Sequence, residues 1–235
     1  ADCIIALGSR FDDRTTGLVS KYAPKAFEAY QNGKGGIIHV NIEKSEIGKV
    51  VNSHYNLNIP CRQFFERANQ MIEYHDRHDW FSFIGGLKKK YQFTAKSLED
   101  EDNEDDKLYM EKVIHSIGEK TKDLSLQNKL ILTAGVGNHQ MQTYQYIPSH
   151  FPKKIISSGS LGVMGCGLPY AVGAQIANPD KTVILIDGDS SFNMTLGDLK
   201  TIVENDLPVK IAIMNNDAQM MVTIWERLFF EERYT

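Results

Sequence analysis

Two short, nearly apolar runs constrain this chain most: Thr182–Ile186 and Val209–Met214, each ending in a polar, turn-forming cluster. Neither alternates apolar with polar residues along its length. Each therefore needs cover on both faces, as interior strands of a parallel sheet do when helices pack on either side. A helical pattern from Leu196 to Glu204 joins the two runs, which makes a βαβ unit. In such units ligands are received at the carboxyl ends of the strands. Those ends read Ile186-Asp187-Gly188-Asp189-Ser190-Ser191-Phe192-Asn193 and Asn215-Asn216-Asp217.

The same alternation extends upstream. A helix is expected over Leu108–Glu119 and a strand over Lys129–Thr133, and a glycine-rich stretch, Ser157–Gly173, leads into a helix that ends before Asn178-Pro179-Asp180. Nearer the start come a strand at Cys3–Leu7, a loop and helix, a strand at Gly36–Ile42, and helices over Phe64–Tyr74 and Trp80–Tyr91. The acidic run Leu98–Asp106 cannot bury its like charges and is expected to be a solvated linker. It lacks the glycine and alternating spacing of a calcium loop. The expected organisation is a first domain over 1–97, an acidic linker over 98–107 and a second domain over 108–235. The fold class is α/β, with parallel sheets carrying helices on both faces. The chain opens on a strand with no start methionine and stops without a closing signal, so it is expected to be cut from a longer protein.

Composition excludes several classes of function. The 42% hydrophobic and 24% charged residues are those of an ordinary globular protein. A net charge of −4 gives no electrostatic case for nucleic acid or a membrane surface. No apolar run approaches the roughly 20 residues needed to span a bilayer. Cys3, Cys61 and Cys166 are widely spaced and odd in number, which suggests reduced and mostly packed thiols in place of a disulfide framework or zinc site.

The chemistry sits at the two strand ends. Asp189 supplies a hard anionic oxygen and Asn216 a neutral amide oxygen; with water and phosphate oxygens they suit octahedral Mg²⁺. Gly188 is expected to let the chain turn off its strand and a ligand approach the backbone. The amides of Ser190 and Ser191 lie near the start of the following helix, where a diphosphate is well received. Taken singly, Asp189 would be a helix cap and Asn215-Asn216 a surface turn. The two together, on adjacent strands of one unit, point to a metal-diphosphate clamp.

Gly-Asp-x followed by Asn-Asn at this remove is similar to the motif of thiamine diphosphate enzymes. The wider sequence resembles the acetohydroxyacid synthase (acetolactate synthase) family, its fungal catalytic subunits in particular. The matching stretches are Ala6–Arg14, Gly35–His39, Gly135–Met141, Ser158–Pro169, Gly188–Thr195 and Met221–Trp225, in family order along nearly the whole chain. The resemblance implies a thiamine diphosphate-binding fold at the carboxyl end, preceded by the rear of a Rossmann-like central domain. It implies Mg²⁺ held by Asp189, Asn216 and the carbonyl of Ala218. It further implies a cofactor held by Val136, Gly137, Asn138, His139, Gly162, Met164, Gly188, Ser190, Ser191, Gln219 and Met221. Met164 would be the wedge that bends the cofactor, and Met221 and Trp225 would line the substrate channel. Arg10, Asp12, Asp13 and Arg14 resemble the flavin loop of the family's central domain, where FAD is structural.

The implied reaction is decarboxylation of pyruvate and condensation with a second pyruvate or with 2-ketobutyrate, the first common step toward valine, leucine and isoleucine. The resemblance places the activating glutamate in an N-terminal domain outside this chain, so no catalytic residue is expected within it and the chain alone is expected to be inactive. A homodimer or tetramer, a possible regulatory subunit and a mitochondrial location follow from the same resemblance. The sequence also departs from the family. Asn138 replaces glutamine, Ala218 glutamate, Met220 glycine, and Ser190 a smaller residue. Ile59-Pro60 stands where Gly-Asp contacts the flavin, which counts against FAD, and the usual Lys-Pro-Gln before the C-terminal domain is missing. Two alternatives therefore stay open: another thiamine-dependent ketoacid oxidase or decarboxylase, and a non-catalytic paralogue that keeps the fold. A nicotinamide oxidoreductase is disfavoured, because no Gly-x-Gly-x-x-Gly opens a βαβ unit.

Overall fold

The computed structural model describes residues 1–91 and 108–234, so the acidic run lies outside the described residues. The chain divides into two compact units, Ala1–Ser82 and Phe83–Thr235.

In the first unit, β1 (Cys3–Leu7), β2 (Gly36–Val40) and β3 (Tyr55–Leu57) form a parallel sheet with β2 in the middle. The crossover helix α2 (Pro24–Gln31) starts on a proline, whose missing N–H costs nothing in a first turn. Ala6, Phe11, Ala26, Ile37 and Val51 close the core beneath it. β2 stops at Val40, short of the expected Ile42. Asn41 turns its side chain into the neighbouring loops, donating to the Ser9 carbonyl (3.0 Å) and accepting from the Glu43 N–H (3.0 Å). The three exposed residues of β3 carry no pattern that announces a strand. A single turn, α1 (Asp13–Thr16), follows the β1 loop. Helix α3 (Cys61–Met71) begins directly after Pro60, three residues before the expected Phe64, and α4 (His78–Lys90) follows.

In the second unit, β4 (Leu130–Ala134), β5 (Ile155–Ile156), β6 (Thr182–Gly188) and β7 (Lys210–Met214) are all parallel, in the order β5-β4-β6-β7. Side chains alternate between two buried faces. Ile131, Val183 and Leu185 pack on Leu168, Ala171 and Ala174 of α8 (Gly167–Ala177). Leu130, Leu132 and Ile186 pack on Ile114 of α5 (Met110–Lys120). Both faces of β4 and β6 are covered, which is why those strands read as unbroken apolar runs. β7 lies at the sheet edge, with Lys210 and Ile213 exposed, so the cover expected on both faces of Val209–Met214 is only partial. The helices α6 (Lys122–Leu126), α7 (Asn138–Tyr146), α9 (Asp189–Asn193), α10 (Leu199–Glu204) and α11 (Met220–Phe229) complete the unit. The helix expected over Leu196–Glu204 is a 3-10 turn, Leu196–Asp198, running into α10.

β6 also runs two residues further than expected, with Asp187 opposite Ile213 and Gly188 opposite Met214. Gly188 is extended, at φ −88° and ψ 156°. Its expected role in a tight turn is thus corrected, and the reason for a glycine there lies in the side chain packed against it.

Candidate functional site

A cavity of about 430 Å³ opens on the carboxyl edge of the second unit's sheet. Its walls come from the turn after β4, the loop before α8, the turn after β6, and the loop after β7 with the adjoining face of α11. Every expected cofactor, metal and channel position of this unit lines it except Gly162. Gly162 is exposed at φ +65°, and a Cβ there would lie 3.8 Å from Val136, so it abuts the wall without forming it. Met110, Met214 and Val222 line the cavity without having been anticipated, and Met220 lines it as well. So much methionine makes an apolar wall that adapts to the shape of its occupant.

The polar groups of the cavity sit on one side. Asp189 is the first residue of α9 and half-buried. The Oδ1 of Asn216 accepts from the Ala218 N–H (3.3 Å), which leaves its second lone pair open. Among the described residues no three His, Cys, Asp or Glu side chains gather to hold a metal. A cation at this cavity would therefore rest on one carboxylate, one amide oxygen, a main-chain carbonyl and the ligand's own oxygens. Such hard, mostly neutral donors match Mg²⁺ shared with a phosphate. Helix α7 starts at the same wall. Its cap residue, Gly137, has no side chain to satisfy the first N–H groups, which stay available to an anion. The donor set thus fits Mg²⁺ and a diphosphate.

Beneath the cavity lies a packed polar cluster. Asp187 is fully buried, and His139 is 4% exposed. The Oδ1 of Asp187 accepts from the Gly188 N–H (2.9 Å) and lies 3.2 Å from His139 Nε2, outside hydrogen-bond alignment. Glycines surround the pair because nothing larger fits. A Cβ at Gly188 would come within 2.9 Å of the imidazole, one at Gly137 within 2.8 Å, and one at Gly167 within 2.6 Å of Asp187 Oδ2. Ser191, buried to 1%, ties the loops together, its Oγ accepting from the Gly165 N–H (3.0 Å) and the Val136 N–H (3.4 Å). Thr195 Oγ1 donates to the Gly165 carbonyl (2.8 Å). Gly165, the residue after Met164, is therefore held at both its N–H and its carbonyl by the segment that begins with Asp189. Replacing Ser191 with alanine orphans buried N–H groups and is expected to cost about 1–3 kcal/mol, read as a lowered urea midpoint at unchanged slope.

Cys166, at the start of α8, has its thiol pushed up by burial first and by the nearby Asp187 carboxylate as well, which suits a packed thiol and not a nucleophile. Cys61 is half-buried too, whereas Cys3 is exposed, so two of the three thiols are at least partly packed.

In the first unit, the loop Gly8–Arg14 leaves the carboxyl end of β1. Its Ser9 carbonyl accepts from Asn41 Nδ2 and lies 2.8 Å from His39 Nε2. Asp12 caps α1: the Thr15 N–H (2.9 Å) and hydroxyl (3.0 Å) donate to its Oδ1, holding its carboxyl below the usual range. Arg10 lies 3.6 Å from the same carboxylate. Asp13 and Arg14 are exposed in the one-turn helix.

Sequence reasoning missed Asp187, Thr195 and the reason for Gly135 and Gly167. The available signal was an acidic residue closing the apolar run Val183–Ile186 at its carboxyl end.

Two known families and a set of curated relatives match the chain. The family described as "Thiamine pyrophosphate enzyme, C-terminal TPP binding domain" matches residues 135–235, and the "central domain" of the same enzymes matches residues 1–67. The acetolactate synthase catalytic subunit, mitochondrial, of Saccharomyces cerevisiae is 42% identical over 100% of this chain and 34% of its own length. The acetolactate synthase, mitochondrial, of Schizosaccharomyces pombe is 41% identical over 100% of the chain and 35% of its own length. The acetolactate synthase isozyme 2 large subunit of Escherichia coli is 33% identical over 100% and 38%. The chain thus spans about a third of the length of the curated relatives it matches. With two such domains in succession and relatives of this kind along its whole length, the chain belongs to the thiamine pyrophosphate enzymes, in the family of acetolactate synthase catalytic subunits.

Proposed function

We propose that the protein acts as an acetolactate synthase catalytic subunit, taking thiamine diphosphate and Mg²⁺ in the cavity on the carboxyl edge of the β4–β7 sheet. The observation that carries this reading is the convergence of Asp189, Asn216, Ala218, the uncapped start of α7 and Met164 on one cavity of suitable size. Asp189 and Asn216 would hold the metal through side chains, and Ala218 through its carbonyl, where alanine serves as well as any residue. Val136, Gly137, Asn138 and His139 would cradle the diphosphate, with Ser190 at the head of α9. Met220, Met221 and Met164 would form apolar walls that exclude water, with the Gln219 amide beside them. When bound, thiamine diphosphate supplies the electron sink for decarboxylating a 2-ketoacid and joining the remainder to a second one.

The substrates are pyruvate, as the first ketoacid, and a second pyruvate or 2-ketobutyrate. Trp225 borders the cavity, tilted against Phe229 at 4.8 Å between ring centroids. Its replacement by leucine is expected to shift selectivity away from 2-ketobutyrate and toward pyruvate by roughly tenfold, measured as the product ratio when both compete.

By likeness to the relatives, we place the protein in mitochondria, as a dimer or tetramer of full-length chains with a regulatory subunit. Among the described residues, no helix is long and apolar enough to cross a membrane. FAD is not part of the proposal: Asp12 is engaged as a cap, and Pro60, which lacks an N–H, opens α3 where the resemblance has Gly-Asp.

The test is calorimetric titration of the full-length protein with thiamine diphosphate, with and without Mg²⁺, followed by assay of acetolactate from pyruvate. Mg²⁺-dependent binding with acetolactate as product is the expected result. Absence of binding would favour a non-catalytic paralogue, the reading that Met220 on the cavity wall supports. Binding with a different product would favour another thiamine-dependent ketoacid enzyme.

A further inference from the structure

We infer that Asp187 is a positioning residue for the diphosphate cradle: through the imidazole of His139 it sets the spacing between the turn after β4 and the extended end of β6. The inference rests on the cofactor reading above and adds a residue outside the cavity wall. Asp187 is fully buried, its Oδ2 has no hydrogen-bond partner, and its Oδ1 takes one N–H, from Gly188. Burying a carboxylate with so few donors is costly unless another group compensates it. The group beside it is His139, whose Nε2 is equally buried, without a hydrogen bond, and 3.2 Å from Oδ1.

The adjoining edge of the ring explains what the pair does. The Nδ1–Cε1 edge of His139 lies between Gly137 and Gly188, so close that a Cβ on either would fall within 3.0 Å of it. Gly137 heads α7 and Gly188 precedes α9, and both line the cavity. The imidazole therefore acts as a spacer between the turn after β4 and the extended end of β6, the two backbone segments that border the cavity where a diphosphate would lie. Thr143 Oγ1, buried and donating to the His139 carbonyl (2.7 Å), anchors the residue from its own helix. Asp187 is the acceptor in reach of the inner nitrogen. A hydrogen bond from Nε2–H to Oδ1 would fix the tautomer and which edge of the ring faces the glycines.

Two measurements on the full-length protein test this. In wild type labelled with ¹⁵N-histidine, the His139 Nε2 resonance is expected to be that of a protonated nitrogen; an unprotonated Nε2 overturns the inference without any variant. In calorimetric titrations with Mg²⁺-thiamine diphosphate and with Mg²⁺-pyrophosphate, D187A is expected to weaken both ligands by about 10–100-fold. D187N keeps an oxygen for the Gly188 N–H and for Nε2, and is expected to stay within roughly threefold of wild type, whereas D187L fills a similar volume without an acceptor and is expected to weaken binding as D187A does, which loss of packing alone would not give. D187A or D187L binding like wild type, or D187N weakened as much as D187A, overturns the inference. Failure of the wild type to bind either ligand instead removes the cofactor reading itself, and the inference with it.

Discussion

Replacing Asp189 with alanine is expected to reduce Mg²⁺-dependent binding of thiamine diphosphate by two orders of magnitude or more, about 2.7 kcal/mol at a hundredfold. Asp189 is the one carboxylate among the three proposed metal ligands, since Asn216 offers an amide oxygen and Ala218 a main-chain carbonyl. Mg²⁺ dehydrates reluctantly and is held chiefly by anionic oxygens, so removal of that charge leaves the ligand's phosphates as its remaining anionic donors, beside two neutral ones. The Asn216→Ala variant removes a neutral donor and is expected to lose roughly a tenth as much affinity in fold terms, about tenfold. Calorimetry over a series of Mg²⁺ concentrations separates the two variants. Equal affinities of D189A and wild type would show that the metal is held elsewhere. The side chain is half-buried at the mouth of a cavity, so the variant is expected to fold normally.

Replacing Gly135 with alanine is expected to destabilise the second unit by about 3 kcal/mol, a fall in melting temperature of roughly 6–12 °C for a unit of this size. A Cβ at this position would overlap the Asp187 carboxylate and the Ser191 hydroxyl. Neither can move away cheaply, since Asp187 is fully buried on a central strand and Ser191 anchors the Val136 and Gly165 peptides. Close-packed interiors give little room for one added methyl. Gly173 is the control: it lies on the exposed side of α8 with nothing within 4 Å of a Cβ, so Gly173→Ala is expected to stabilise by about 0.5–1 kcal/mol. Thermal unfolding of both variants checks the pair. A melting temperature for G135A equal to wild type would contradict the packing described around Asp187.

The sequence by itself determined a good deal of this protein. Unbroken apolar runs such as Thr182–Ile186 cannot face water on either side, so a parallel sheet covered by helices followed from hydrophobicity alone. The order of strands and loops then placed Asp189 and Asn216 on neighbouring carboxyl ends, because adjacent parallel strands deliver their loops to the same edge. Resemblance added Met164, Val136–His139 and the face of α11, and these line one cavity. Strand ends were less legible. β2 stops at Val40 because of two hydrogen bonds made by Asn41, one of them to a residue far away in the chain.

Only the tertiary structure decided why the glycines are glycines. Gly188 looked like a turn residue, yet its backbone is extended, and what excludes a side chain is the imidazole of His139, brought there by a different strand. Gly135 and Gly167 are small because Asp187 packs against them. A glycine required by its own backbone angles announces itself locally. One required by a neighbour across the sheet cannot, since the neighbour is chosen by strand pairing and not by sequence proximity. The same reason kept Asp187 hidden, because a lone acid at the end of an apolar strand acquires its partner only when β4 and β6 lie side by side.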